Sequence, residues 1–145
     1  MAGTKQHHKT PVSTSTAPVQ QGLVVFAKNK ARVSAFYQHT LQLAVMESER
    51  SHDLLQGAGV EVVVHAIPAG IAKTITLSQP PQPREDTPFK PTFYVPDLNA
   101  VRAAVEATGG WLKAADKAWH FRGATVLDGH DPEGNIVQFK QRDAI

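Results

Sequence analysis

Apolar positions along the chain alternate between strand and helix spacing, and the alternation occurs twice. Leu23-Val24-Val25-Phe26 predicts a strand, and Lys28-Asn29-Lys30 a helix start. Val33, Phe36, Tyr37 and Leu41 then fall at helical spacing on one stripe. Polar strands and turns follow from Val45 to Gln56, and a strand runs from Val60 to Ile67, where Pro68 ends it. The second half repeats this order. Phe93-Tyr94-Val95 predicts a strand, Asp97 an N-cap, and Leu98, Val101, Ala104, Val105 and Thr108 a helix that Gly109-Gly110 stops. Strands around Trp111-Leu112, Trp119-His120-Phe121 and Thr125-Val126-Leu127 precede a turn and a last strand, Ile136 to Lys140. Slid by 68 residues, Gly22 falls on Lys90, Phe26 on Tyr94 and Val33 on Val101. The residue identities are few, but the order βαβββ recurs.

Outside this repeat the composition changes. Residues 1–20 are rich in Thr, Ser, Pro and Lys with almost no large apolar side chain, which predicts a disordered tail, and the His7-His8 pair reads as solvated within it. A polar, Pro-rich stretch around Gln79-Pro80-Pro81-Gln82-Pro83 predicts a linker, giving a domain over 21–143 made of modules 21–79 and 88–143. Hydrophobic residues make up 41% and charged residues 19%, ordinary values for a globular chain. The formal charge of +2 is carried by scattered Lys and Arg with no dense run, so no nucleic-acid partner is expected. With no cysteine, disulfides, thiolate catalysis and Cys-based zinc sites are excluded. No apolar run approaches the ~20 residues that cross a bilayer, and no signal-peptide core is present, so the expectation is a cytoplasmic protein with no membrane partner.

The turn Asp131-Pro132-Glu133-Gly134-Asn135 punctuates the second module: Asp and Pro initiate it, and Gly-Asn tolerates the positive φ that reverses the chain. With Ala35-Phe36-Tyr37 early in the first helix, a helix ending in Gly-Gly and the duplicated βαβββ layout, residues 21 to 142 resemble the vicinal oxygen chelate superfamily of glyoxalases, extradiol dioxygenases, and fosfomycin- and bleomycin-resistance proteins. The resemblance implies a glyoxalase-like α+β fold, tandem βαβββ modules forming a curved open sheet around a cavity, and a homodimer.

It also implies where a metal would bind: on the first and last strands of each module, here Gly22, Glu61, Lys90 and Gln138. Glycine has no donor. A Lys ammonium offers three donors and no acceptor, and the Gln138 amide is a poor substitute for a carboxylate. Only Glu61 keeps a charged oxygen. His65 shares its strand face, but four residues along a strand span roughly 13 Å, too far to hold one ion with Glu61. No metal and no cofactor are therefore expected.

The expected inward set is Val24, Phe26, Glu61, Val63, His65, Thr92, Tyr94, Ile136 and Gln138, with Lys90 at the rim or inside. Phe26, Glu61, His65, Lys90, Tyr94 and Gln138 are the candidate ligand-binding residues, an apolar wall with a few placed polar groups that suits a small organic molecule. Lys90 would contact that ligand or pair with Glu61 in the vacated metal position. His120 and His130 lie on or near the second module's strands and read as hydrogen-bonded structural residues rather than ligands, Trp111 and Trp119 as core or dimer-interface anchors or as a cap on the cavity, and His39 and His52 as surface or turn residues. Metal-independent binding is the favoured function, with catalysis left open. The alternative is a lyase or dioxygenase of the same superfamily with metal ligands at unpredicted positions; a metal-free enzyme would use Glu61 or His65 as base and Lys90 as oxyanion stabiliser.

Overall fold

The computed structural model describes residues 13–144. The expected tail lies outside the described residues over its first twelve positions, His7 and His8 among them, and residues 13–20 form no helix or strand.

The first module runs β1 (Gln21–Ala27), α1 (Lys30–Leu41), β2 (Ala44–Ser48), β3 (His52–Gly57) and β4 (Val60–Ala66). A short helix α2 (Ala69–Ala72) opens an otherwise irregular connection. The second runs β5 (Thr92–Tyr94), α3 (Leu98–Thr108), β6 (Trp111–Leu112), β7 (Trp119–Phe121), β8 (Ala124–His130) and β9 (Ile136–Arg142). The first sheet has the order β1-β4-β3-β2 and the second β5-β9-β8-β6, with β7 also on β8. Strands β6 and β7 occupy one edge position, interrupted by a 3-10 turn at Ala115–Lys117: Trp111 pairs with His130 and Trp119 with Val126 on the same neighbour. Among the described residues, no helix is long and apolar enough to cross a membrane.

Local chemistry sets the helix ends. The Asn29 side chain accepts from the Arg32 amide at 3.1 Å, and Gln42, in the left-handed region, closes α1. Asp97 accepts from the Asn99 amide at 2.9 Å, and Gly109 ends α3, as the sequence predicts. The helices pack against each other, each covering one face of its own sheet. Val33, Phe36, Tyr37, Val101 and Val105 meet Val25, Val62, Val64, Phe93 and Phe139 in one core, with Phe36 edge-on to Tyr37 at 5.0 Å.

The expected tandem α+β architecture is thus present as two open sheets joined through their helices. Among the described residues the two sheets share no hydrogen-bonded edge. A hollow of about 440 Å³ lies between the modules, bordered by the end of α1, the β3–β4 turn and the start of α3.

Candidate functional site

The Asp131–Asn135 turn is buried and joins the modules. Asp131, 0% exposed, accepts from the Tyr37 hydroxyl at 2.9 Å, the Glu133 amide at 2.9 Å, and the Asn135 amide and side chain at 3.1 and 2.8 Å. Burial pushes the Asp131 carboxyl above its ordinary value, against the lowering effect of these hydrogen bonds, and burial beside Asp131 holds the Tyr37 phenol well above its own. Glu133 accepts from the Lys28 and Asn29 amides, both at 2.7 Å, at the entrance of α1. Gly134 has φ +86°, the left-handed conformation the sequence predicts, and a Cβ there would lie 2.1 Å from the Gln82 carbonyl oxygen. The connecting segment therefore lies directly on the turn, and the Arg84 amide donates to the Gly134 carbonyl at 2.8 Å. The motif is a structural clamp whose two carboxylates are both engaged in hydrogen bonds.

The faces turned away from the helices are open. Paired residues of neighbouring strands share a face, so the register defines what each open face presents. In the first sheet the rows are Gly22–Glu61–Gln56, Val24–Val63–Leu54 and Phe26–His65–His52. In the second they are Ile136–His130–Trp111, Thr92–Gln138–Asp128, Tyr94–Lys140–Val126–Trp119 and Arg142–Ala124–Phe121. Five candidates, Phe26, Glu61, His65, Tyr94 and Gln138, thus lie on open faces, divided between two sheets. Val24, Phe26 and Tyr94 are 55%, 59% and 56% exposed, while their neighbours Val25, Ala27 and Phe93 are buried under the helices.

The register revises the metal-position assignment. Val25 and Ala27 face the core as Phe93 and Val95 do, so Val24 corresponds to Thr92. Val24 pairs with Val63, and Thr92 with Gln138. The counterpart of Gln138 is therefore Val63, not Glu61, whose own counterpart is Ile136. Around Gln138 the charges are already matched. Lys90 Nζ donates to Asp128 Oδ2 at 3.0 Å, Gln138 Nε2 donates to Asp128 Oδ1 at 3.1 Å, and the Thr92 hydroxyl donates to Gln138 Oε1 at 3.3 Å. Lys90 thus pairs with Asp128 and not with Glu61, because Asp128 stands opposite Gln138 on β8. A glycine, a valine, an ammonium and an amide do not fit a divalent metal of the family type.

The histidines serve distinct purposes. His130, 5% exposed, hydrogen-bonds the Asp131 carbonyl through Nδ1 at 2.8 Å and lies under Trp111, the rings 5.6 Å apart and nearly parallel. His65 hydrogen-bonds the Ala66 carbonyl through Nδ1 at 2.8 Å, lies tilted beside Phe26 at 5.6 Å and stacks on His52 at 6.4 Å. His52, placed at the surface from sequence, is half-buried on the open face opposite His65. His39 and His120 are exposed, and Trp119 sits on β7, away from His130. Sequence reasoning stopped at Gln138. The same alternation continued for two more steps reaches Lys140 and Arg142, which share its face. Asp128 and Glu133 had no comparable signal, since their partners lie 38 and 105 or 104 residues away.

No protein-family model matches the chain, and no curated protein does. Solved structures match it. A glyoxalase/bleomycin resistance protein/dioxygenase family enzyme from Burkholderia phytofirmans PsJN superposes with a TM-score of 0.62 at 18% identity, covering 83% of this chain and 96% of that one. The bleomycin resistance determinant encoded on transposon Tn5 gives 0.57 at 15% identity, covering 88% and 100%. The fosfomycin resistance protein FosX from Mesorhizobium loti gives 0.57 at 8% identity, covering 88% and 93%. The chain shares the fold of these glyoxalase- and resistance-protein structures. These likenesses define the fold and leave the activity to the residues on the open faces.

Proposed function

We propose that the protein is a metal-independent binding protein that takes a small organic ligand on its open sheet faces, closed over by a second copy of the chain. The observation that carries this reading is the exposure of Val24, Phe26, Tyr94, Trp119 and Phe121 beside placed polar groups, on faces that the chain's own helices do not cover. Apolar surface of this kind gains about 25 cal/mol per Å² when covered, which favours association. The residues at the metal positions support the metal-free part. Glu61 and His65 are polar groups that the first open face offers a ligand, while Lys90 and Gln138 on the second are held by Asp128.

Light scattering on the eluting protein should give twice the chain mass. A thermal-shift screen of aromatic and amphipathic compounds, run with and without chelator, should find ligands that raise the melting temperature equally in both; a ligand at 100 times its dissociation constant adds about 2.7 kcal/mol. A monomer with no shift across a broad library, or stoichiometric metal in protein purified without added metal, would overturn the reading.

A further inference from the structure

The open face of the second sheet carries cations whose nearest partners are aromatic rings. Lys140 Nζ lies 5.6 Å from the Tyr94 ring centroid and 5.1 Å from that of Phe121. The Arg142 guanidinium stacks over Tyr94 at 4.2 Å, and Arg122 lies 5.7 Å from Phe121. The small side chains of Ala124 and Val126 on the intervening strand let Lys140 reach across to Phe121. Among the described residues, no carboxylate forms an ion pair with Lys140, Arg142 or Arg122. Asp143 faces away, accepting from the Thr125 hydroxyl at 3.3 Å.

Three cations with no ion-pair partner among the described residues repel one another, and exposed cation–π contacts offset this by only about 0.5–1 kcal/mol each. The same position in the first module repeats the arrangement: Phe26 corresponds to Tyr94, and His65, paired with Phe26, corresponds to Lys140, paired with Tyr94. A flat ring stacking on Tyr94 or Phe121 would place a negative substituent against Lys140 and Arg142, joining aromatic contact to charge-assisted hydrogen bonds.

We propose that the Tyr94–Phe121–Lys140–Arg142 face is a recognition site for planar aromatic anions, aromatic carboxylates being the simplest members. This rests on the small-ligand reading above and narrows it to one class of ligand.

The test compares three probes of one shape, 1-naphthoate, neutral 1-naphthamide and cationic 1-naphthylmethylammonium, by calorimetric titration of the full chain. Naphthoate should bind at least about tenfold more tightly than the amide, a difference of about 1.4 kcal/mol, and the ammonium most weakly. Lys140→Met and Arg142→Met together keep the apolar stems, so they should remove the preference for the anion, naphthoate and the amide then binding alike. Lys140→Arg should retain the preference. Equal binding of naphthoate and the amide would overturn the anion assignment and leave the small-ligand reading standing. Binding of none of the three would overturn the assignment, and the broad thermal-shift library then decides the wider reading separately. A single-stranded oligothymidine that binds more tightly than naphthoate, and loses affinity in the double variant, would assign the face to nucleic acid and overturn the proposal.

Discussion

Glu133 reaches across the chain to the two amides that precede α1, in the place where a capping carboxylate acts from within a helix. Glu133→Ala leaves both donors without a partner and should cost about 2 kcal/mol, whereas Glu133→Gln keeps one acceptor and should cost about half as much; chemical denaturation with an unchanged m-value is the check. Asp53 offers a pH-dependent counterpart. Burial alone would raise its carboxyl, but hydrogen bonds from Lys30 at 2.8 Å and from Ser34 and Ser48, both at 2.6 Å, outweigh that and hold it below the usual value. Its ionised form is therefore favoured more in the folded than in the unfolded chain. The resulting stability is present above the unfolded carboxylate range, about pH 4, and is lost as pH falls through the lowered folded value. Asp131 acts in the opposite sense: its raised folded value makes protonation stabilising, so its contribution falls as pH rises through the carboxylate range. Asp53→Asn should lower the melting temperature at neutral pH and flatten its decline on acidification; an unchanged acid slope would exclude Asp53 as a source of that slope.

At the scale of elements, the strands held on both sides are β4 and β3 in the first sheet and β9 and β8 in the second. Hydrogen exchange should leave their amides the most protected and exchange the β2, β6 and β7 edges first. The turn between β8 and β9 gives a second expectation. Gly134→Ala combines a positive φ with a clash against the Gln82 backbone and should destabilise by several times the cost of Gly123→Ala, where φ is +73° but nothing lies within 4 Å. Comparable melting temperatures for the two variants would show that the connecting segment is not held on the turn. Both helices were legible from sequence, because their caps and apolar stripes act over four residues or fewer. The α2 turn and the division of one edge position between β6 and β7 were not, since each depends on what packs or pairs beside it.

For the whole molecule, the open faces decide behaviour. Phe26 is exposed in the single chain, so Phe26→Asp should hardly change the stability of an isolated subunit but should shift a dimer toward monomer; sedimentation velocity distinguishes this from unfolding. A variant that stays dimeric at low micromolar concentration would place the contact between copies elsewhere on the surface.

The sequence by itself determined the duplicated βαβββ layout, the caps of α3 and the side of most strands that faces water, because each follows from spacing within a few residues. Its chemistry also argued against a metal of the usual kind at the positions implied by the resemblance, since glycine, lysine and glutamine offer no ligand atom or a poor one. Only the tertiary structure decided which residue stands beside which across strands: Val63 in place of Glu61 opposite the first strand, Asp128 as the partner of Lys90, and Lys140 with Arg142 against Tyr94 and Phe121. It also turned Asp131–Asn135 from a strand punctuation into the clamp between modules. Register and long-range hydrogen bonds are set by packing between segments far apart in the chain, and local pattern carries no record of them.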